Sequence, residues 1–137
     1  MPEILNEKYY EAMNKNILFV FKLSDLSAIW LEKDDIVLLL SNLLNNAIEA
    51  CENCRGQKII KMKFELTDGQ LVLVVKNSYE NEIVEQDGRL ISTKKEDGHG
   101  YGIKNIKRVI RKYNGNYHII HKNGEFCFII LLFKRDL

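Results

Sequence analysis

Between Asp34 and Cys54, the residues Ile36, Leu40, Leu43, Leu44, Ala47 and Cys51 return at helical spacing and cover one broad face. A helix this long with so wide an apolar stripe has to lie on another apolar layer, and the rest of the chain must supply that layer. The opposite stripe carries Asn42, Asn45, Asn46 and Glu49, with Asn42 and Asn46 stacked one turn apart. Asparagine is a mediocre helix former, because its short amide competes for backbone hydrogen bonds. A stripe that only meets water is more economically built from Glu, Lys or Gln. Three asparagines mid-helix therefore point to amide oxygens with another task. A hard cation such as Mg²⁺ accepts neutral amide oxygens, keeps several waters and takes its remaining ligands from substrate phosphates.

A second segment asks for the phosphates. Gly98-His99-Gly100-Tyr101-Gly102 places three glycines at alternate positions, ahead of Ile103, Ile106, Val109, Ile110 and Tyr113 at helical spacing and a stop at Asn114-Gly115. The pattern predicts a flexible glycine loop running into a helix start. Unpaired N–H groups and the positive end of the helix dipole make such a junction an anion site. The G-x-G-x-G spacing and the late position in the chain exclude a dinucleotide-binding loop of the Rossmann kind.

The remaining segments predict the layer on which the long helix lies. Glu3 to Lys15 reads as a first helix and Ile17–Phe21 as a strand. Ile60, Met62, Phe64 and Leu66 alternate with Lys61, Lys63 and Glu65, a strand buried on one face. Asp68-Gly69 turns it into Leu71–Val75, and Asn123-Gly124 joins Tyr117–His121 to Phe126–Phe133. Three helices and five strands follow, in an α/β (α+β) two-layer sandwich with helices on one face of a mixed sheet. The 137 residues, 46% of them hydrophobic, suffice for one core, so the expected organisation is a single domain over residues 1–137.

Charge and cysteine usage narrow the function classes. Lys+Arg 20 against Asp+Glu 19 leaves a net charge of +1, so no bulk field favours nucleic acid or membrane. The longest apolar run, Phe126 to Phe133, is too short to span a bilayer, and no signal peptide is expected. Cys51 and Cys54 form a lone C-x-x-C with no second pair at zinc-site spacing, which reads as reduced thiols in a cytosolic protein. Ser78 to His99 is polar, charged and without period, and a structureless run of that length in a compact domain is functional or disordered. It carries Thr93, Lys94 and Lys95 just before the glycines, where a hydroxyl and ammonium groups can meet phosphates.

Asn42-Leu43-Leu44-Asn45-Asn46-Ala47-Ile48-Glu49-Ala50-Cys51 resembles the N box of the GHKL ATPases, and Gly98–Gly102 resembles their second glycine box. These are gyrase B, the large heat-shock chaperone, histidine kinases and the mismatch-repair ATPase. Within them, Asn46–Cys51 together with Gly100–Ile106 looks most like the cytoplasmic ATP-binding domain of peptide-pheromone (quorum-sensing) sensor histidine kinases. The resemblance runs from about Ile4 to Phe133, with the motifs in the family's order.

The resemblance implies a Bergerat-type ATP-binding fold with ATP and Mg²⁺ as ligands. Asn46 would hold the metal and Asn42 would support it or reach the phosphates. Gly98, Gly100, Tyr101 and Gly102 would cradle the phosphates, with Thr93 and Lys94 nearby and residues 78–99 as the ATP lid. The family's first glycine box falls at Val74-Val75-Lys76-Asn77-Ser78, where asparagine stands in place of aspartate and no glycines follow. Asn77 is then the adenine contact, its amide oxygen accepting from the adenine amino group. Gyrase B and the chaperone carry a glutamate where Asn42 stands, to activate water. Its absence implies transfer to a protein side chain rather than hydrolysis.

None of the three histidines lies on a dimerisation helix, so the resemblance implies the catalytic module of a longer membrane receptor. Such a module would act on the histidine-bearing dimerisation helices of the same receptor, which in turn would serve a response regulator. The alternatives are an anti-sigma-type serine kinase of the same fold and a degenerate protein-interaction module without ATP.

Overall fold

The computed structural model describes residues 2–80, 83–86, 89–92 and 99–134. Its elements run α1 (Glu3–Asn14), β1 (Leu18–Leu23), α2 (Lys33–Glu52), β2 (Ile59–Thr67), β3 (Gln70–Ser78), β4 (Ile83–Gln86), β5 (Arg89–Ser92), α3 (His99–Lys112), β6 (Asn116–Lys122) and β7 (Glu125–Phe133). Five strands form one mixed sheet in the order β1-β2-β3-β7-β6. Only the β1–β2 pair is parallel, because α2 intervenes as the crossover; the other three pairs are antiparallel. The expected two-layer α+β architecture with a mixed sheet is the one found.

Alternation sets which way the sheet faces. Ile60, Met62 and Phe64 on β2, Leu71, Leu73 and Val75 on β3, and Phe128, Ile130 and Leu132 on β7 are buried. They meet Leu39, Leu40, Leu43, Leu44, Ala47 and Ile48 of α2, whose apolar stripe is wholly inside. The core takes in Leu5 and Ala12 of α1 and Ile106, Val109 and Ile110 of α3, so the helices share one layer. The β6–β7 hairpin closes through Asn123 (φ 54) and Gly124 (φ 77), the pair of left-handed residues that a two-residue turn requires.

Two expectations need correction. The segment 78–99 is not structureless throughout: Ile83–Gln86 and Arg89–Ser92 pair antiparallel as a separate two-stranded sheet, which raises the strand count among the described residues to seven. Strands of four residues are too short to display a period among polar neighbours. The glycine segment is also more helical than a loop. Helix α3 begins at His99, so Gly100 and Gly102 lie inside its first turn.

Candidate functional site

The asparagine stripe of α2 divides into two parts. Asn45 turns outward, where Lys8 of α1 donates to its Oδ1 at 2.5 Å, so this asparagine ties two helices together. Asn42 and Asn46 are half-buried and face the first turn of α3. The Asn42 Nδ2 donates to the Leu38 carbonyl one turn back, at 2.6 Å, which fixes the amide and aims its oxygen away from that carbonyl.

Gly102 is where the two motifs meet. A Cβ placed on it would lie 3.3 Å from Asn42 Oδ1 and 3.6 Å from Asn46 Oδ1. The glycine therefore answers a close approach rather than a left-handed backbone, and it keeps open a space onto which two amide oxygens converge. The first N–H groups of α3 have no partner within the helix and lie at the positive end of its dipole. Acceptor oxygens for a hard cation thus adjoin donors for an anion. That donor set suits a cation carried in by a phosphate ligand, which brings its own charge. Among the described residues, no group of three His, Cys, Asp or Glu side chains offers an alternative metal site.

Asn77 lies at the far end of α2. It is a buried polar side chain, 4% exposed, with its Nδ2 donating to the Ser78 carbonyl at 3.0 Å. Its neighbour Ser78 accepts from the Ile59 N–H at 3.1 Å, and the Cys51 thiol approaches the Ser78 carbonyl at 3.8 Å. From Asn46 to Cys51 is five residues of helix, on the order of 7 Å along the axis. Asn77, next to Ser78, therefore lies nearer the C-terminal part of α2 than the amide–glycine cluster does. Burial, assisted by Cys54, pushes the Cys51 thiol up to about 11, so it stays protonated near neutrality and is no nucleophile.

Of the expected site residues, Asn42, Asn46 and Gly102 come together, Gly100 lies in the same first turn of α3, and Asn77 stands apart at the end of β3. Thr93, Lys94, Lys95 and Gly98 lie outside the described residues, as does the side chain of Tyr101.

The supports of this site were not foreseen. Tyr113 donates to Asp35 Oδ2 at 2.5 Å and accepts from the Glu32 N–H at 3.1 Å. Lys112 bridges Asp35 at 2.8 Å and Glu32 at 3.1 Å. Together they clamp the end of α3 to the start of α2, and so fix the register that brings Gly102 against Asn42. Glu80 accepts from the N–H groups of Arg55 and Gly56, at 2.9 and 3.1 Å, and pins the exit of β3 to the loop after α2.

Residues 31–133 match the family described as GHKL domain. No curated protein matches the chain. Among solved structures, the catalytic domain of histidine kinase ThkA, in a nucleotide-free form, superposes with a TM-score of 0.73 at 22% identity, covering 96% of this chain and 90% of that one. The histidine kinase domain from the Erythrobacter litoralis EL346 blue-light activated histidine kinase gives 0.69 at 12% identity, covering 94% and 58%. Full-length ShkA in complex with AMPPNP gives 0.70 at 17% identity, covering 95% and 28%. At these identities the likeness is one of fold.

Proposed function

This chain belongs to the GHKL domain family, and on that premise we propose that it is an ATP- and Mg²⁺-binding catalytic domain of the histidine-kinase type. It transfers the γ-phosphoryl of ATP to a histidine on a separate dimerisation helix. One observation carries this reading: the amide oxygens of Asn42 and Asn46 converge on Gly102 in the first turn of a helix. Asn46 Oδ1 ligates the metal. Asn42, held through its Nδ2 by the Leu38 carbonyl, supports it from one turn away. Bound there, Mg²⁺ offsets the negative charge of the phosphates. The N–H groups at Gly100 and Gly102 receive phosphate oxygens, and Asn77 reads the adenine amino group. Gly98, Tyr101, Thr93 and Lys94 keep the phosphate-facing roles implied by the resemblance, with residues 78–99 as the lid.

The chain's own groups do little covalent chemistry in such a reaction; they position a phosphoryl group and leave the nucleophile to the acceptor. An amide at position 42 cannot take a proton from water, which supports transfer to a side chain over hydrolysis. Asn46–Cys51 and Gly100–Ile106 support the peptide-pheromone, quorum-sensing subtype, with the acceptor helices of the same receptor and then a response regulator as partners. No helix among the described residues is long and apolar enough to cross a membrane. In this reading the domain works in the cytosol, and its membrane connection runs through other parts of the receptor.

The test is to mix the domain with the receptor's histidine-bearing helix pair and labelled ATP. Acid-labile label on the helices is the expected result. Acid-stable label on serine identifies an anti-sigma-type kinase instead, and no nucleotide binding at all identifies a protein-interaction module.

A further inference from the structure

The helices cover one face of the main sheet, and the other face shows a charge pattern that the kinase reading does not use. On that face Lys61 of β2 stands directly opposite Lys76 of β3, and Lys22 of β1 stands beside Lys63 of β2. All four are exposed. Like charges paired across strands destabilise a sheet. Lys63 meets Glu65 at 3.3 Å, but neither Lys61 nor Lys76 forms an ion pair among the described residues. The whole chain carries a net charge of only +1, so this cluster is a local segregation of charge. Beside it, Val74 pairs with Ile129, both half-buried, and Leu18, Val20 and Ile120 are 56%, 51% and 53% exposed toward the two edges. A depression on this side is lined by Lys61, Lys76, the Asn123–Gly124 turn and Glu125.

We propose that this open face docks an acidic amphipathic helix of a partner protein, its apolar side on Val74 and Ile129 and its carboxylates on Lys61 and Lys76. Charge complementarity selects the occupant: two cations held face to face are relieved by carboxylates between them, and the apolar residues alongside need a non-polar covering. A helix is the element that completes a second layer on a sheet. It also reaches the half-buried valine and isoleucine in the middle of a twisted surface, which a flat lipid surface meets only at the edges. This surface lies on the face of the sheet away from Asn42, Asn46 and Gly102, so the proposal stands whether or not nucleotide binds.

The experiment titrates the intact chain with a synthetic helical peptide carrying leucine on one side and glutamate on the other, and follows amide chemical shifts. Shifts confined to β2, β3 and β7, weakening with added salt, are expected. The Lys61→Glu/Lys76→Glu double variant should bind the peptide about tenfold more weakly or worse, while melting like the parent. Lys61→Ala/Lys76→Ala, which removes charge without reversing it, should give an intermediate affinity. Equal binding of a peptide with glutamine for glutamate, unchanged binding to the double variant, or no binding at millimolar peptide overturns the proposal. Binding only to phosphatidylglycerol vesicles overturns it in favour of a membrane surface.

Discussion

Tyr113, at the end of α3, donates its hydroxyl proton to Asp35 in the first turn of α2 at 2.5 Å, across 78 residues of sequence. Lys112 meets the same carboxylate oxygen, at 2.8 Å. The clamp sits at the opposite end of the α2–α3 pair from Gly102, so it acts on the site by fixing how the two helices are aligned.

Removing that hydroxyl should be felt in stability first. In Tyr113→Phe the ring stays, while a hydrogen bond to a charged group is lost, worth roughly 1–2 kcal/mol. For a domain of this size, Tm is expected to fall by about 3–8 °C. A thermal melt checks it, and an unchanged Tm would show that Lys112 alone suffices.

The clamp also predicts an acid limb. Burial pushes the Asp35 carboxyl up, but Lys112 and the Tyr113 hydroxyl outweigh it and hold the group below its ordinary value of 3.8. A carboxyl held down in the folded state takes its proton more readily when unfolded. Its contribution is therefore present above its unfolded value and is lost as pH falls through the folded one. Denaturant titrations between about pH 5 and 3 should show a steeper loss for the wild type than for Asp35→Asn. Parallel curves would mean that Asp35 contributes nothing to the acid limb.

Gly102→Ala separates helix propensity from site geometry. Alanine is favoured over glycine by about 1 kcal/mol in a helix interior and by less in a first turn, where the buried Gly102 sits. Its methyl, however, would stand 3.3 Å from Asn42 Oδ1 and fill the space onto which both amides point. The expected outcome is a Tm within a few degrees of the parent and a clear loss of Mg²⁺-nucleotide affinity by calorimetry. Unimpaired binding would assign Gly102 to helix packing alone.

The three asparagines of α2 should behave differently. Asn46→Ala removes the proposed metal ligand from a half-buried position without opening a core cavity, so nucleotide affinity should drop while the fold persists. Asn45→Ala should leave nucleotide affinity intact and cost at most about 1 kcal/mol of stability, since among the described residues its amide meets only Lys8. Matching losses of nucleotide affinity in both variants would contradict the division of the stripe.

Much of this architecture was legible because its signals are local. Twenty residues of helical period announce α2, and Asn123-Gly124 announces a turn whose two left-handed residues the structure reproduces. The β4–β5 hairpin escaped notice because its strands are four residues each in a polar stretch. The start of α3 at His99 escaped because glycine reads as a breaker even where a helix needs it for clearance. Asn42 and Asn46 stood out as polar residues against local preference. Asp35, Lys112 and Tyr113 did not, since each is ordinary at its own position and only the crossing of α2 and α3 joins them.

In the proposed reading, the Asn42–Asn46–Gly102 cluster holds a Mg²⁺-nucleotide. The most direct measurement is the melting of this chain with an ATP analogue, with and without Mg²⁺, beside the same titration of Asn46→Ala. Nucleotide at about 100 times its dissociation constant adds roughly 2.7 kcal/mol of stability. A rise of several degrees is expected that depends on Mg²⁺ and largely disappears in Asn46→Ala. No shift at millimolar nucleotide, or a Mg²⁺-dependent shift of equal size in Asn46→Ala, would contradict it.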